Sequence, residues 1–249
     1  MKVIDINCDL GEGGCIDDCD LDAKLMQYIS SCNIACGGHA GNEEIIRKSL
    51  LNAQLNGLKI GAHPGYADKK NFGRISLKIS SDILLNSIQE QLDLFLKIAS
   101  ELDIHVEHIK FHGALYNDLE QNPDLASSLS SLIKQNYAYL KVVGLAGGLL
   151  EKKSRFLGLS FLPEGFMDRS YLSTGMLTPR SKANAMIEGR KNVINQALLL
   201  ANNDPILTSD HQYIKPKVKT ICLHGDNVNA ISIAKNLNES LVKAGFIIK

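Results

Sequence analysis

Seven times along the chain a short apolar run ends in polar residues and gives way to a segment of helical period. The runs are Val3 to Asp9, Asn33 to Gly37, Lys59 to His63, His108 to His112, Lys141 to Ala146, Ser160 to Glu164 and Lys219 to His224. Strands separated by amphipathic crossovers run parallel, with helices covering the sheet. Two architectures satisfy this pattern, an open doubly wound sheet and a closed barrel. A doubly wound sheet gathers its polar residues at one switch point, whereas here they stand at the end of nearly every strand, as on the rim of a barrel. The expected fold is a seven-stranded parallel β/α barrel, a single domain over residues 1–249.

The crossovers carry their own signals. Ser80 or Ser81 caps a helix whose apolar positions Leu84, Ile88, Leu92, Phe95 and Ala99 advance by three or four. Asn122 before Pro123 sets an N-cap and a first helical turn, continued by Leu125, Leu129, Leu132 and Ile133. Asp226 is the expected cap of the last helix, which Gly245 ends. Residues 203–216 have no clear period and read as a long loop or hairpin.

Lys and Arg total 27 against 27 Asp and Glu, so no basic surplus marks a nucleic-acid or anionic-membrane partner. Acidic residues interrupt the first apolar stretch, which excludes a signal peptide core, and no run of about 18 apolar residues offers a membrane span. The expected location is the cytoplasm. Six cysteines in 249 residues do not make a small secreted disulfide framework, and no CxxC pair supports a zinc site. Cys8, Cys36 and Cys222 fall in strand-like runs; Cys15 and Cys19 are placed in a loop, where with Cys32 they stand apart as thiols able to bind a metal or oxidise, although free thiols are favoured.

The strand ends read, in order, Asp9 and Glu12, His39, His63, His112 and Tyr116, Glu164 with Asp168 and Arg169, and His224 with Asp226. Most stand beside glycine, which permits tight turns and close approach of backbone to ligand. One histidine near a strand end is usually structural, but four on successive strand ends converge on one pocket. Lys110, two residues before His112, shares its face, and a lysine inside a barrel is costly unless it pairs or binds an anion. Asp9 suits a general base or hard-metal ligand, and Arg169 a carboxylate or phosphate, unless it simply pairs with Asp168. His105, His108 and His211 are assigned no role. Phosphate-loop, dinucleotide, nucleophile-elbow and zinc-helix motifs are absent from the sequence.

Seven motifs stand in register: Asn7-Cys-Asp-Leu-Gly-Glu12, residues 33–41, Gly61-Ala-His-Pro-Gly-Tyr66, Phe72-Gly-Arg74, His112-Gly-Ala-Leu-Tyr-Asn117, Glu164-Gly-Phe-Met-Asp-Arg169 and Cys222-Leu-His-Gly-Asp226. Together they make the chain resemble the LamB/YcsF family over nearly its whole length. The resemblance implies a glycoside hydrolase/deacetylase-like barrel. It also implies ATP-dependent opening of 5-oxo-L-proline to L-glutamate, with ATP as co-substrate and 5-oxoprolinase subunits B and C as partners.

Asp9, Glu12, His39, His63, His112, Glu164, Asp168, Arg169, His224 and Asp226 match the family's polar rim by motif. The catalytic set expected is Asp9, Glu12, His39, His63, His112, Glu164 and His224; the substrate- or phosphate-binding set is Lys110, Tyr116, Asp168, Arg169 and Asp226. On this reading Lys110 and Arg169 meet phosphate charge, Asp9 or Glu12 activates water, and a histidine protonates the departing nitrogen. Gly38, Phe111 and Ile75 depart from the family's usual residues. Rival readings are a metal-dependent deacetylase or carbohydrate hydrolase, with Asp9, His63 and His112 as ligands of a divalent ion, and a non-catalytic substrate-binding subunit.

Overall fold

A computed structural model describes residues 2–225 and 229–249. Seven parallel strands form the ring: β1 (Lys2–Leu10), β2 (Ser31–Ala35), β3 (Lys59–His63), β4 (His108–Lys110), β5 (Lys141–Leu145), β6 (Phe161–Phe166) and β9 (Thr220–His224). The ring closes where β9 pairs with β1, Asp5 lying opposite Thr220 and Cys8 opposite Leu223. Between β6 and β9 lies an antiparallel pair, β7 (Ile206–Leu207) and β8 (Tyr213–Ile214), the hairpin form of the aperiodic segment. A short β10 (Phe246–Ile248) adds to the open edge of β1 below the ring.

The helices are α1 (Asp18–Met26), α2 (Glu43–Leu55), α3 (Ser81–Glu101), α4 (Gly113–Leu119), α5 (Pro123–Asn136), α6 (Leu149–Phe156), α7 (Arg190–Asn202) and α8 (Ala230–Lys243). Ser80 caps α3 by accepting from the Ile83 N–H, and Asn122 caps α5 by accepting from Asp124 and Leu125. Among the described residues no helix is long and apolar enough to cross a membrane.

Several local expectations shift. β2 runs Ser31–Ala35, so Cys36 and Gly37 already belong to the rim, and β4 stops at Lys110 because His112 becomes the N-cap residue of α4. Cys19 lies buried in α1 and Cys32 buried in β2, so neither shares a loop with the exposed Cys15; all six thiols are free. The last helix starts at Ala230 with Asn229 at its cap position, while Asp226 lies outside the described residues.

What positions the site is the alternation of side chains along each strand. On β1, Ile4, Ile6, Cys8 and Leu10 belong to the hydrophobic cluster under the helices, met there by Ile34 and Ile60 and by Leu50, Ile88 and Leu92 of the helices. The residues between them, Asp5, Asn7 and Asp9, share the inward face. Asn33, His108, Lys110, Glu164 and Thr220 follow the same inward register and are buried. Barrel interiors are ordinarily filled by branched apolar side chains; this one holds a polar column. Space for it is made locally, since a Cβ on Gly61 would lie 2.2 Å from the His108 ring.

Candidate active site

Burial of polar groups is tolerated only when each finds a partner, and the column meets this by a chain of bonds. At its lower end Asp5 accepts from Ser31 Oγ at 2.7 Å and from Thr220 Oγ1. Asn7 Nδ2 donates to Thr220 Oγ1 at 2.7 Å and to Glu164 Oε1 at 2.9 Å. Asn33 Nδ2 donates to Asn7 Oδ1 and Asp9 Oδ1, both at 2.8 Å. His108, held neutral because burial and the Lys110 charge push it down to about 3, supports Asn33 from behind at 2.7 Å.

Lys110 is the hub. Its Nζ lies 2.9 Å from Asp9 Oδ1, 2.9 Å from Glu164 Oε1 and 3.1 Å from Asn7 Oδ1. Burial opposes its charge, but Asp9, Cys222 and Glu164 outweigh that and hold the ammonium protonated far above the usual lysine range. Above it, the Tyr116 hydroxyl is buried beside the Glu164 carboxylate. Burial and the adjacent Glu164 and Glu120 charges push the Tyr116 phenol up, so it is a donor at any ordinary pH.

Beside this axis stand three histidines around Glu12. His39 Nε2 is 2.9 Å and His112 Nδ1 3.0 Å from Glu12 Oε1, and His63 Nε2 is 3.7 Å from it and 3.4 Å from Asp9 Oδ2. The His39 and His112 rings stack at 3.5 Å, and His63 meets both edge-on. Burial raises the Glu12 pKa, yet hydrogen bonds to His112 and His39 prevail and keep it well below the usual carboxylate range. Burial outweighs the Glu12 bond at His39 and lowers it to about 4, whereas at His63 the Asp9 and Glu12 charges overcome burial and raise it.

The loop carrying Phe72-Gly-Arg74 closes over the cluster. Phe72 is left-handed at φ 55°, which is strained for an aromatic residue, and its carbonyl lies 2.9 Å from His112 Nε2. Gly73 is required beneath it, because a Cβ there would lie 2.8 Å from His39 Cβ and 2.9 Å from the His112 ring.

Axis and cluster open on one cavity of about 100 Å³. Of the expected residues, Asp9, Glu12, His63, Lys110, His112, Tyr116 and Arg169 line it. Glu164 lies beneath, bonded to Lys110, and His39 lies behind Glu12. Arg169 reaches the wall with its guanidinium fastened to the Thr178 and Ala185 carbonyls. Asp168 lines a separate cavity beside α7. The His224 side chain and Asp226 lie outside the described residues. Arg74 and Arg180, not singled out beforehand, also line the mouth. Arg74 was visible as the end of the Phe-Gly-Arg motif, while Arg180 sits in an irregular segment with no periodic signal.

Two of the family departures have a visible accommodation. Any Cβ on Gly38 would lie 2.3 Å from the Gln91 side chain, which fills that space and bonds the Gly65 backbone. Phe111 is buried in the cavity wall, whereas Ile75 is exposed.

Donor atoms of Glu12, His39, His63 and His112 all lie within 4.8 Å of one another, a grouping able to hold a metal ion. It differs from the expected Asp9, His63 and His112, with Glu12 in the place of Asp9 and His39 added.

Comparison with known proteins gives one consistent result. The family model for the LamB/YcsF family matches residues 4–249. The A subunit of 5-oxoprolinase from Histophilus somni (strain 129Pt) is 36% identical over 248 residues, covering 100% of this chain and 98% of that protein. Its counterpart from Neisseria meningitidis serogroup A is 36% identical over 245 residues, with 98% of each covered. The crystal structure of a lactam utilization protein from Thermus thermophilus superposes with a TM-score of 0.89 at 28% identity, covering 100% of this chain and 99% of that one.

Proposed function

The chain belongs to the LamB/YcsF family, and from that premise we propose that its barrel mouth opens the lactam ring of 5-oxoproline in an ATP-dependent 5-oxoprolinase. Its relatives are named as one lettered subunit of that enzyme, which supports an assembly in which further subunits, B and C, complete the reaction. A five-membered lactam is a stable amide. Transfer of a phosphoryl group from ATP to its carbonyl oxygen creates an electrophile that water attacks, giving glutamate and phosphate.

One observation carries the reading: a carboxylate bonded to a buried lysine, Asp9 at 2.9 Å from Lys110 Nζ, stands 3.4 Å from His63 on a small cavity walled by Arg74, Arg169 and Arg180. Of the two carboxylates first considered for activating water, Asp9 is the better base. Glu12 is committed to His39 and His112, and its depressed pKa makes it a weak proton acceptor. Asp9 takes the proton of the attacking water, and the departing ring nitrogen is protonated from the Asp9–His63 pair. Lys110 acts mainly by anchoring Asp9 and Glu164, which leaves the arginine wall to meet the substrate carboxylate and the phosphoryl group.

The test is glutamate release from 5-oxoproline by this chain mixed with its candidate partner subunits, with and without ATP. Release only with ATP supports the proposal. A second reading, metal-assisted hydrolysis without ATP, is favoured by the Glu12 and histidine grouping; turnover by the chain alone, without ATP and abolished by a chelator, would replace the first reading with it.

A further inference from the structure

The histidine cluster contains a contact that neutral side chains alone do not explain. A backbone carbonyl accepts hydrogen bonds and never donates them. His63 Nδ1 lies 2.7 Å from the Lys110 carbonyl and His112 Nε2 lies 2.9 Å from the Phe72 carbonyl, so both of these nitrogens carry hydrogen. The remaining nitrogens, His63 Nε2 and His112 Nδ1, face each other at 3.1 Å, and in neutral rings both present lone pairs, so the bond between His112 and Glu12 needs a positive centre there, a second ring proton or an ion. Glu12 Oε1 completes a triangle with them, 3.0 Å from His112 Nδ1 and 3.7 Å from His63 Nε2. Three electron-rich atoms turned toward one point repel unless something positive lies among them.

We propose that Glu12 Oε1, His63 Nε2 and His112 Nδ1 hold a divalent transition-metal ion of the zinc class, with the remaining coordination position facing the cavity. The triangle has the right size. Donors roughly 2.1 Å from a shared tetrahedral ion stand about 3.4 Å apart, and the three edges of 3.0, 3.1 and 3.7 Å bracket that value. Two imidazoles and a carboxylate suit zinc, manganese, iron or cobalt rather than calcium or magnesium, which prefer all-oxygen sites. The outward N–H bonds to carbonyls are the support that metal-binding histidines carry, because they fix the tautomer and the ring.

The strained Phe72 backbone thereby gains a purpose, which is to aim its carbonyl at His112. His39 is a positioning residue, since its Nε2–H donates to Glu12 Oε1 and turns that carboxylate toward the triangle. With the two lone pairs committed to the ion, His63 has no proton to share, and the proton for a departing group is the one Asp9 has taken from water.

This site stands whether or not the substrate is a lactam, so its test reads metal and not turnover. The full chain, stripped with a chelator, is titrated with Co²⁺. The expected result is one equivalent bound, with the visible bands of a four-coordinate cobalt site, displaced by Zn²⁺. His63→Ala and His112→Ala should each weaken binding by more than the roughly 10- to 100-fold that losing an outer hydrogen bond costs, and His39→Gln by about that amount. Circular dichroism checks the fold of each. Should those variants fail to fold, ¹⁵N spectra of the wild-type imidazoles decide: Zn²⁺ should move the His63 Nε2 and His112 Nδ1 resonances. A folded wild-type chain that gives no cobalt bands and no zinc-induced shift, with one of the two rings doubly protonated, would overturn the proposal and fill the gap with a proton.

Discussion

The two faces of β1 belong to regions held by different physics. Outward, Ile4, Ile6, Cys8 and Leu10 join a cluster of apolar side chains under the helices, where each contact is non-directional and tolerates a change of shape. Inward, Asp5, Asn7 and Asp9 enter a column whose members each depend on a particular neighbour. The sheath gives the fold its stability, and the column uses that stability to keep charges out of water. The two regions should therefore fail in different ways.

The largest difference is expected at Lys110. Lys110→Met leaves Asp9 and Glu164 buried without their cation. It should cost about 3–5 kcal/mol in urea unfolding and lower turnover by roughly 10²-fold or more. Adding Glu164→Gln should recover part of the stability and none of the activity. A Lys110→Met chain as stable as the parent would mean that the column is not held by charge.

In the sheath, Leu92→Ala should cost about 2–5 kcal/mol, since Leu92 is fully buried, while kcat of the folded protein stays within about twofold. A large fall in kcat would erase the separation between the regions. Gly61→Ala probes their boundary, as the new methyl meets the His108 ring. A loss of about 1–3 kcal/mol is expected, together with a reduced kcat as the His108–Asn33–Asp9 chain shifts.

The smallest effect is on pH dependence, where carboxylates outside the column behave oppositely to Glu12. Burial raises Asp22 to about 6 and Glu120 to about 7. Their folded values exceed their unfolded ones, so the folded state holds protons that the unfolded state releases. The stability they contribute is present below about pH 4 and is lost as pH rises toward 7. Asp22→Asn with Glu120→Gln should flatten that decline in urea titrations across this window. An unchanged slope would place the decline elsewhere.

The sheath was the more legible region. Apolar runs and helix caps announce themselves by period and residue type, so the ring and the Asn122 cap are readable directly, the α3 cap narrows to Ser80 or Ser81, and the aperiodic stretch 203–216 reads as a loop or hairpin. The rim was legible in its motifs, and the convergence of Asp9, Glu12, His63 and His112 follows from strand register. The column was harder to read because its members sit inside apolar runs. Asp5, Asn7 and Asn33 look like punctuation in a strand, and His108 was set aside for lying within one. The missed signal was polar residues recurring at period two on several strands, seen in Asp5-Asn7-Asp9, Ser31-Asn33 and His108-Lys110. Arg180 and the left-handed Phe72 depend on loop geometry that no local pattern encodes.

The most direct test is Asp9→Asn in the complete assembly, measured as ATP-dependent glutamate release from 5-oxoproline alongside urea unfolding. The account predicts a fall of roughly 10²–10⁴-fold with the chain still folded, because the amide keeps the bonds from Asn33 and Lys110 but cannot take a proton from water. Undiminished release by a folded Asp9→Asn chain would contradict it and leave the column a structural device.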